Sequence, residues 1–267
     1  MEVIGRVFVV TGGGNGIGRE VVLGLLARGA RVAAVDVSEA ALADTASIAG
    51  VGDRLSTHTV DITDRDAVLA LPAAVQAAHG QVDGLLNVAG VIQPFVPFAD
   101  LDNSQIERVL GVNFWGVVHT VQAFLPHLLE RRDAAIVNVS SMGAFVPVPG
   151  QSVYGASKAA VMLLTEGLYA ELRETSVAVT VVFPGGVATH IAENSGAALP
   201  SHDGAAAASV GSLTSAPDAA RQIIEGLEDG SFRVVVGKDA KSLDRLSRLS
   251  PHRATDLVAK KMAALLG

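Results

Sequence analysis

A short apolar run from Arg6 to Val10 leads into glycines at 12, 13, 14, 16 and 18, then a helical pattern from Ile17 to Ala27 closed by Gly29, then a second strand, Arg31 to Val35, ending at Asp36. This order is a βαβ unit, and it constrains everything after it, because a parallel pair must be extended by further crossovers. Further β-branched runs follow at Ser56 to Val60, Val82 to Leu86, Ala135 to Val139 and Val177 to Phe183, each separated by a stretch of helical character. Strands alternating with helices predict a doubly wound parallel α/β sheet of about seven strands, flanked by helices on both faces.

Two long helices are readable, one from Ser104 to about Arg131 and one from about Val153 to Arg173, the second expected beside the fifth strand. From His190 to Ala216 the pattern dissolves into Gly, Ala, Ser and Pro, which suits either a substrate lid or a pair of short helices ordering over a ligand. At 267 residues with no evident linker, residues 1–267 are expected to form one domain, with 190–216 as lid and 238–267 as a C-terminal extension.

Composition narrows the partners. A net charge of −7 with no basic cluster argues against nucleic acid, and no stretch approaches the roughly 18 uninterrupted apolar residues of a membrane span. The mean hydropathy of +0.41 comes largely from alanine and valine. Val7 to Val10 ends at once in the glycine turn and so reads as a buried strand rather than a signal peptide. Zero cysteines exclude disulfides and thiolate metal sites, which fits a cytoplasmic protein. His119 and His127 lie on the long helix without carboxylate company, so no metal is expected.

Tyr154 and Lys158 stand four apart, on one face of the second long helix. A phenol titrates near 10, and bringing it to neutrality takes about three units, about 4 kcal/mol. One positive charge at about 4 Å supplies a similar amount at an effective dielectric of about 20. The expectation is therefore a Tyr154 base activated by the Lys158 ammonium. Taken alone the spacing is common on helices, and its neighbours must carry the case.

The glycine turn lets the backbone approach a pyrophosphate and opens a helix N-terminus toward the anion, although glycines at 12, 16 and 18 depart from the G-x-G-x-x-G spacing. Asp36, at the end of the second strand, is placed to accept ribose hydroxyls or to cap the following helix. Its charge would repel a 2′-phosphate, position 37 is Val rather than Arg, and the turn carries Asn15 rather than a basic residue, so NAD is expected over NADP.

Thr11-Gly12-x-x-x-Gly16-x-Gly18, Asp61 after a strand, Asn87-Val88-Ala89-Gly90, Asn113, Ser141, Tyr154-x-x-x-Lys158 and Pro184-Gly185 resemble, in order and spacing, the short-chain dehydrogenase/reductase family, as far as about Thr189. The resemblance implies a Rossmann-like fold and a set of roles. Ser141 would hold the substrate oxygen, Tyr154 would act as general acid/base, Lys158 would lower the phenol pKa and grip the nicotinamide ribose, and Asn113 would position a water in a proton relay. Gly12, Asn15, Gly16, Ile17, Gly18, Asp36, Val37, Asp61, Ile62, Asn87, Ala89, Gly90, Tyr154 and Lys158 would contact the cofactor. Pro184, Gly185 and Val187 would fix the carboxamide with Thr189, which could instead cap the lid. Val88 stands where many members carry a second asparagine.

The implied reaction is NAD-dependent interconversion of a hydrophobic secondary alcohol and its ketone. An NAD-binding scaffold or sensor without turnover is the alternative, and a sugar-nucleotide epimerase a weaker one, for want of a substrate domain. Gln93, Phe95, Met142, Phe145, Val148, Val153, Val187, His190 and Ile191 are candidate pocket residues, mostly apolar, several of which could simply fill core. His190 could bond a substrate carbonyl or be an ordinary surface residue. The amphipathic tail, with Leu243, Leu246, Leu249, Leu257 and Val258, could cover the pocket, a neighbouring subunit or its own domain. A homo-dimer or homo-tetramer is expected.

Overall fold

A computed structural model describes residues 1–197 and 213–263. Its seven-stranded sheet has the order β3-β2-β1-β4-β5-β6-β9, every pair parallel. The strands are β1 (Val7–Thr11), β2 (Arg31–Asp36), β3 (Leu55–Thr59), β4 (Gly84–Asn87), β5 (Ala134–Val139), β6 (Val177–Pro184) and β9 (Arg233–Val236). This is the doubly wound, Rossmann-like sheet expected from the apolar runs. A second sheet, β7 (Val187–Ala188) with β8 (Thr214–Ser215), was not readable, because two-residue strands have no periodicity to show.

Helices cover both faces. On one side α1 (Gly16–Ala27), α2 (Glu39–Ala49) and α8 (Ala216–Glu228) bury Val21, Leu25, Leu42 and Ile223 against Phe8, Val10 and Val137. On the other, α3 (Arg65–His79), α5 (Gly116–Leu129) and α6 (Ser152–Leu172) bury Val68, Phe124 and Val161 against Val9, Leu85 and Ile136. Odd and even strand residues thus feed opposite cores, which is why these strands read as continuous apolar runs. The α6 helix lies against β5 and β6. Local chemistry sets the ends: the Asp64 side chain accepts from Asp66 N and Ala67 N to start α3, and Gly80, at φ 83°, stops it.

The long helix expected from Ser104 to Arg131 is a 27-residue element, Asn103–Leu129, with a turn of different pitch inside it. After α4 (Asn103–Leu110), residues Gly111–Trp115 form a π turn, and the Gly116 N–H reaches the Gly111 carbonyl. By length and composition this element could cross a membrane; here Val117, Val121, Phe124 and Leu128 pack it onto the sheet.

Past Ile191–Asn194 (α7), residues 198–212 of the expected lid lie outside the described residues. The C-terminal extension folds as α9 (Lys238–Leu249) and α10 (Pro251–Lys261). Leu243, Leu246, Ala254 and Val258 close over Phe145, Val146 and Val148, so these helices pack on the chain's own loop after Ser141.

Candidate active site

A cleft of about 890 Å³ opens at the carboxyl ends of β1, β2 and β4, where a doubly wound sheet places its ligands. Gly12, Asn15, Gly16, Ile17, Gly18, Asp36, Val37, Asp61, Ile62, Ala89, Gly90 and Thr189 all line it, as do Ser38, Val60, Thr63 and Arg108, which the sequence did not single out. The floor is bare backbone. Gly12 has φ 71°, and a Cβ there would lie 2.9 Å from the Ala89 Cα; at Gly18 a side chain would run into the Gly12 carbonyl. The N-cap residue of α1, Asn15, makes no side-chain cap bond, and among the described residues the first N–H groups of the helix have no acceptor. Those residues fit a dinucleotide pyrophosphate: an anion-seeking helix end behind a turn that no Cβ obstructs.

Asp36 lines the cleft at the carboxyl end of β2 with both oxygens fixed, Oδ2 accepting from Gly14 N at 3.0 Å and Oδ1 from Ser38 N at 3.0 Å. It is not the helix cap, because the Ser38 hydroxyl accepts from Ala41 N in that role. Arg19, which follows the glycine turn, donates through Nε to the Gly14 carbonyl and Thr45. Asp61 holds Thr63 through its N–H and hydroxyl, both at 2.8 Å. Thr189 faces Gly16 across the cleft and does not cap α7, whose N-cap is His190.

Beyond Gly90 lies the reactive cluster. A Cβ on Gly90 would stand 3.2 Å from Lys158 Nζ and 3.3 Å from Asn113 Oδ1, so those two side chains meet at the cleft wall. The Asn113 amide is fully engaged: Oδ1 accepts from Val91 N at 2.9 Å, while Nδ2 donates to Val91 O and Ser157 Oγ. Ser141 Oγ accepts from Gly143 N at 3.0 Å, and a Cβ on Gly143 would stand 3.4 Å from that oxygen and 3.6 Å from Tyr154 Cε1, so hydroxyl and ring are neighbours. The neighbouring Ser140 donates to the Lys158 carbonyl and packs in the core.

Burial comes first in the electrostatics of this cluster. Burial pushes the Tyr154 phenol up, and what pulls it back is the Ser141 hydroxyl rather than Lys158. Lys158 Nζ sits 6.0 Å from the phenol ring centroid and donates to the Val139 carbonyl at 3.0 Å. Burial lowers it from 10.5 to about 8. At this separation desolvation outweighs Coulombic attraction for both groups.

Other expected site residues fall elsewhere. Asn87 is a core residue, its Nδ2 donating to Asn138 Oδ1 and its Oδ1 accepting from Thr120, so its side chain does not reach the trough. Pro184, Gly185 and Val187 do not line the cleft; Gly185 N bonds Val236 O, and Val187 pairs with Thr214. Their loop is braced by Asp239 of α9, whose Oδ2 accepts from Gly186 N at 2.7 Å. His190 is exposed and pairs with Glu193. Phe95 and Ile191 join Ile92, Ala192 and Ala197 in an apolar wall against Tyr154. Phe145 and Val148 meet the C-terminal helices, and Val153 is buried. Gln93 is fully buried and bonds the backbone of Val153 and Tyr154 rather than lining a pocket.

A parallel sheet with a glycine-floored cleft at its carboxyl ends, and a tyrosine, serine and lysine at one end of that cleft, defines a dinucleotide-binding oxidoreductase. Comparison with known proteins narrows the class. The short chain dehydrogenase family model matches residues 6–200, and the chain belongs to that family. SadH of Mycobacterium tuberculosis, which carries the name of an oxidoreductase, is 39% identical over 268 residues, covering 97% of this chain and 96% of the relative. The 1-deoxy-11-beta-hydroxypentalenate dehydrogenase of Streptomyces arenae is 35% identical over 242 residues, covering 88% and 83%. Among solved structures, a short chain dehydrogenase/reductase of Burkholderia phymatum in complex with NAD aligns with TM-score 0.84 and 29% identity over 96% of each chain. A short chain dehydrogenase of Burkholderia cenocepacia in complex with NADP aligns at 0.81 and 27%, over 97% and 99%.

Proposed function

We propose that this protein is an NAD-dependent dehydrogenase that interconverts a hydrophobic secondary alcohol and its ketone, with Tyr154 as general acid/base. The observation that carries the reading is the Ser141 hydroxyl beside the half-buried Tyr154 ring, both bordering Gly143, within an apolar wall of Ile92, Phe95, Ile191 and Ala192. Bound NAD supplies the acceptor for the hydride. The chain's residues do the rest: Ser141 holds the alcohol oxygen, Tyr154 takes its proton, and Lys158 grips the ribose and keeps a positive charge behind the phenol. Asn113 holds the Val91 backbone and with it the wall beside Lys158.

Asp36 supports NAD over NADP, since a 2′-phosphate would meet a carboxylate while Arg19 is engaged by the Gly14 carbonyl and Thr45. An apolar surface for the substrate is supported by the wall around Tyr154, and oxidation of a hydroxyl group by the hydroxypentalenate dehydrogenase name of the Streptomyces relative. We further propose that residues 1–267 act as one catalytic unit in the cytoplasm, with 190–216 closing over the substrate. In that unit the apolar groove between α5 and α6, lined by Val121, Leu125, Leu164 and Leu168, joins two copies.

NADH formation from NAD and a panel of aliphatic, aromatic, terpenoid and steroid alcohols tests the reading. Turnover that Tyr154→Phe abolishes, with cofactor binding kept, is the expected result. Turnover surviving in Tyr154→Phe, or tighter binding of NADP than of NAD, would overturn it.

A further inference from the structure

The helix that carries Tyr154 begins without a cap of its own. Its N-cap residue, Gln151, makes no side-chain bond to the first turn, so the N–H groups of Val153 and Tyr154 need another acceptor. They find one far away in sequence: Gln93 Oε1 accepts from Val153 N at 2.9 Å and from Tyr154 N at 3.0 Å. Gln151 returns the contact, its Nε2 donating to the Gln93 carbonyl at 2.7 Å. Two N–H donors facing one atom fix the Gln93 amide orientation, since a flipped NH₂ group would face them donor to donor.

The clasp is kept despite a cost. Gln93 Nε2 and Gln151 Oε1 are both buried without a partner among the described residues, a condition that an apolar residue at either position would avoid. What the amides contribute is therefore in the bonds they do make. Those bonds end a relay of three consecutive loop residues, each held by a different element. Asn113 of the π turn clamps Val91, Ser195 Oγ accepts from Ile92 N at 3.0 Å, and Gln93 reaches the backbone of Tyr154.

We infer that Gln93, clasped by Gln151, is a positioning residue for catalysis, which caps the active-site helix from outside and fixes the phenol of Tyr154 against Ser141. The inference rests on the proposed role of Tyr154. It makes the loop after β4 a setting device for the general acid/base as well as a wall of the cleft.

The test uses Gln93→Met, which keeps length and removes the acceptor, and Gln151→Met, which leaves the acceptor but frees the Gln93 backbone. The chain has two tyrosines, so a Tyr169→Phe background leaves one phenol to follow by the NMR resonance of its Cζ carbon. In Gln93→Met the Tyr154 amide should lose protection from hydrogen exchange and the Cζ resonance should move. Turnover of any alcohol that passes the Tyr154→Phe control should fall about tenfold or more, with the Kd for NADH unchanged. Gln151→Met should move the same readouts the same way by less. An unmoved Cζ resonance with native turnover would overturn the inference, as would loss of turnover matched by equal loss of NADH binding. Turnover surviving in Tyr154→Phe would sink the catalytic reading separately, while the Cζ resonance still decides whether Gln93 sets the phenol.

Discussion

The two ends of the cleft are built from different material. At the pyrophosphate end the surface is main chain: Gly12, Gly16 and Gly18, an uncapped helix start, and a carboxylate pinned by two backbone amides. At the reactive end it is side chain, with Ile92, Phe95 and Ile191 against Tyr154 and with Phe145 and Val148 under helices from the far end of the chain. A main-chain surface leaves little room for variation, because a Cβ at Gly12 or Gly18 collides and one at Gly16 is strained by a φ of 52°. A side-chain surface is free to be re-cut without disturbing the sheet. Under the proposed function, binding the cofactor and choosing the substrate are thereby separated within one groove.

The sharpest break of this contrast is at the reactive end. Tyr154→Phe should lower turnover about a thousandfold while leaving the Kd for NADH within about twofold, measured by NADH formation and by fluorescence titration. At the main-chain end a single methyl should do what a large change does elsewhere. Gly12→Ala, forced to φ 71° against Ala89, should weaken NADH binding about tenfold to a hundredfold with the circular dichroism spectrum intact. Asp36→Ser should erode the preference for NAD over NADP by about tenfold, read from the two Kd values, because it removes the repulsion of a 2′-phosphate. Asp239→Ala should raise the KM for NAD a few-fold, about threefold, since Gly186 N loses its acceptor.

The smallest expected effect is in pH-dependent stability. Burial has lowered Lys158 to about 8 from 10.5, so between those values the unfolded chain binds the proton that the folded one has released. More protons on the unfolded state mean stability rising with pH, so the burial penalty is present in full below pH 8 and fades toward 10.5. Lys158→Met should therefore exceed the parent protein in Tm at pH 7, and that advantage, a few degrees, should shrink across the same window. A gap that stays constant from neutral to alkaline pH would show that the ammonium is not buried at a cost.

The same contrast explains what could be read from the sequence. Strands such as Val7–Thr11 and Ala134–Val139 are apolar runs stopped by turn residues, and they sit in the sheet as expected. The glycine turn and Asp36 were legible because their chemistry depends on residue type and local backbone alone. Long-range bonds were not. Nothing near Gln93 says that it caps a helix 60 residues on, nor near Asp239 that it holds a loop 53 residues back. The π turn at Gly111–Trp115 hides inside a helical pattern, because one widened turn scarcely alters apolar spacing over 27 residues. The lysine was placed on the correct face of its helix by spacing, but spacing carries no burial, and burial decides both its pKa and that of the phenol.

The bond from Asp239 to Gly186 also fixes an order of events during synthesis. The glycine turn, Asp36 and the strands up to β5 are made early, but their outer face waits for α8, whose Ile223 and Leu227 share a core with α1 and β1. The stretch after β6 receives its carboxylate later still, once α9 has left the ribosome. The extension is thus the step that completes the groove, and any ligand that needs both walls must wait for it.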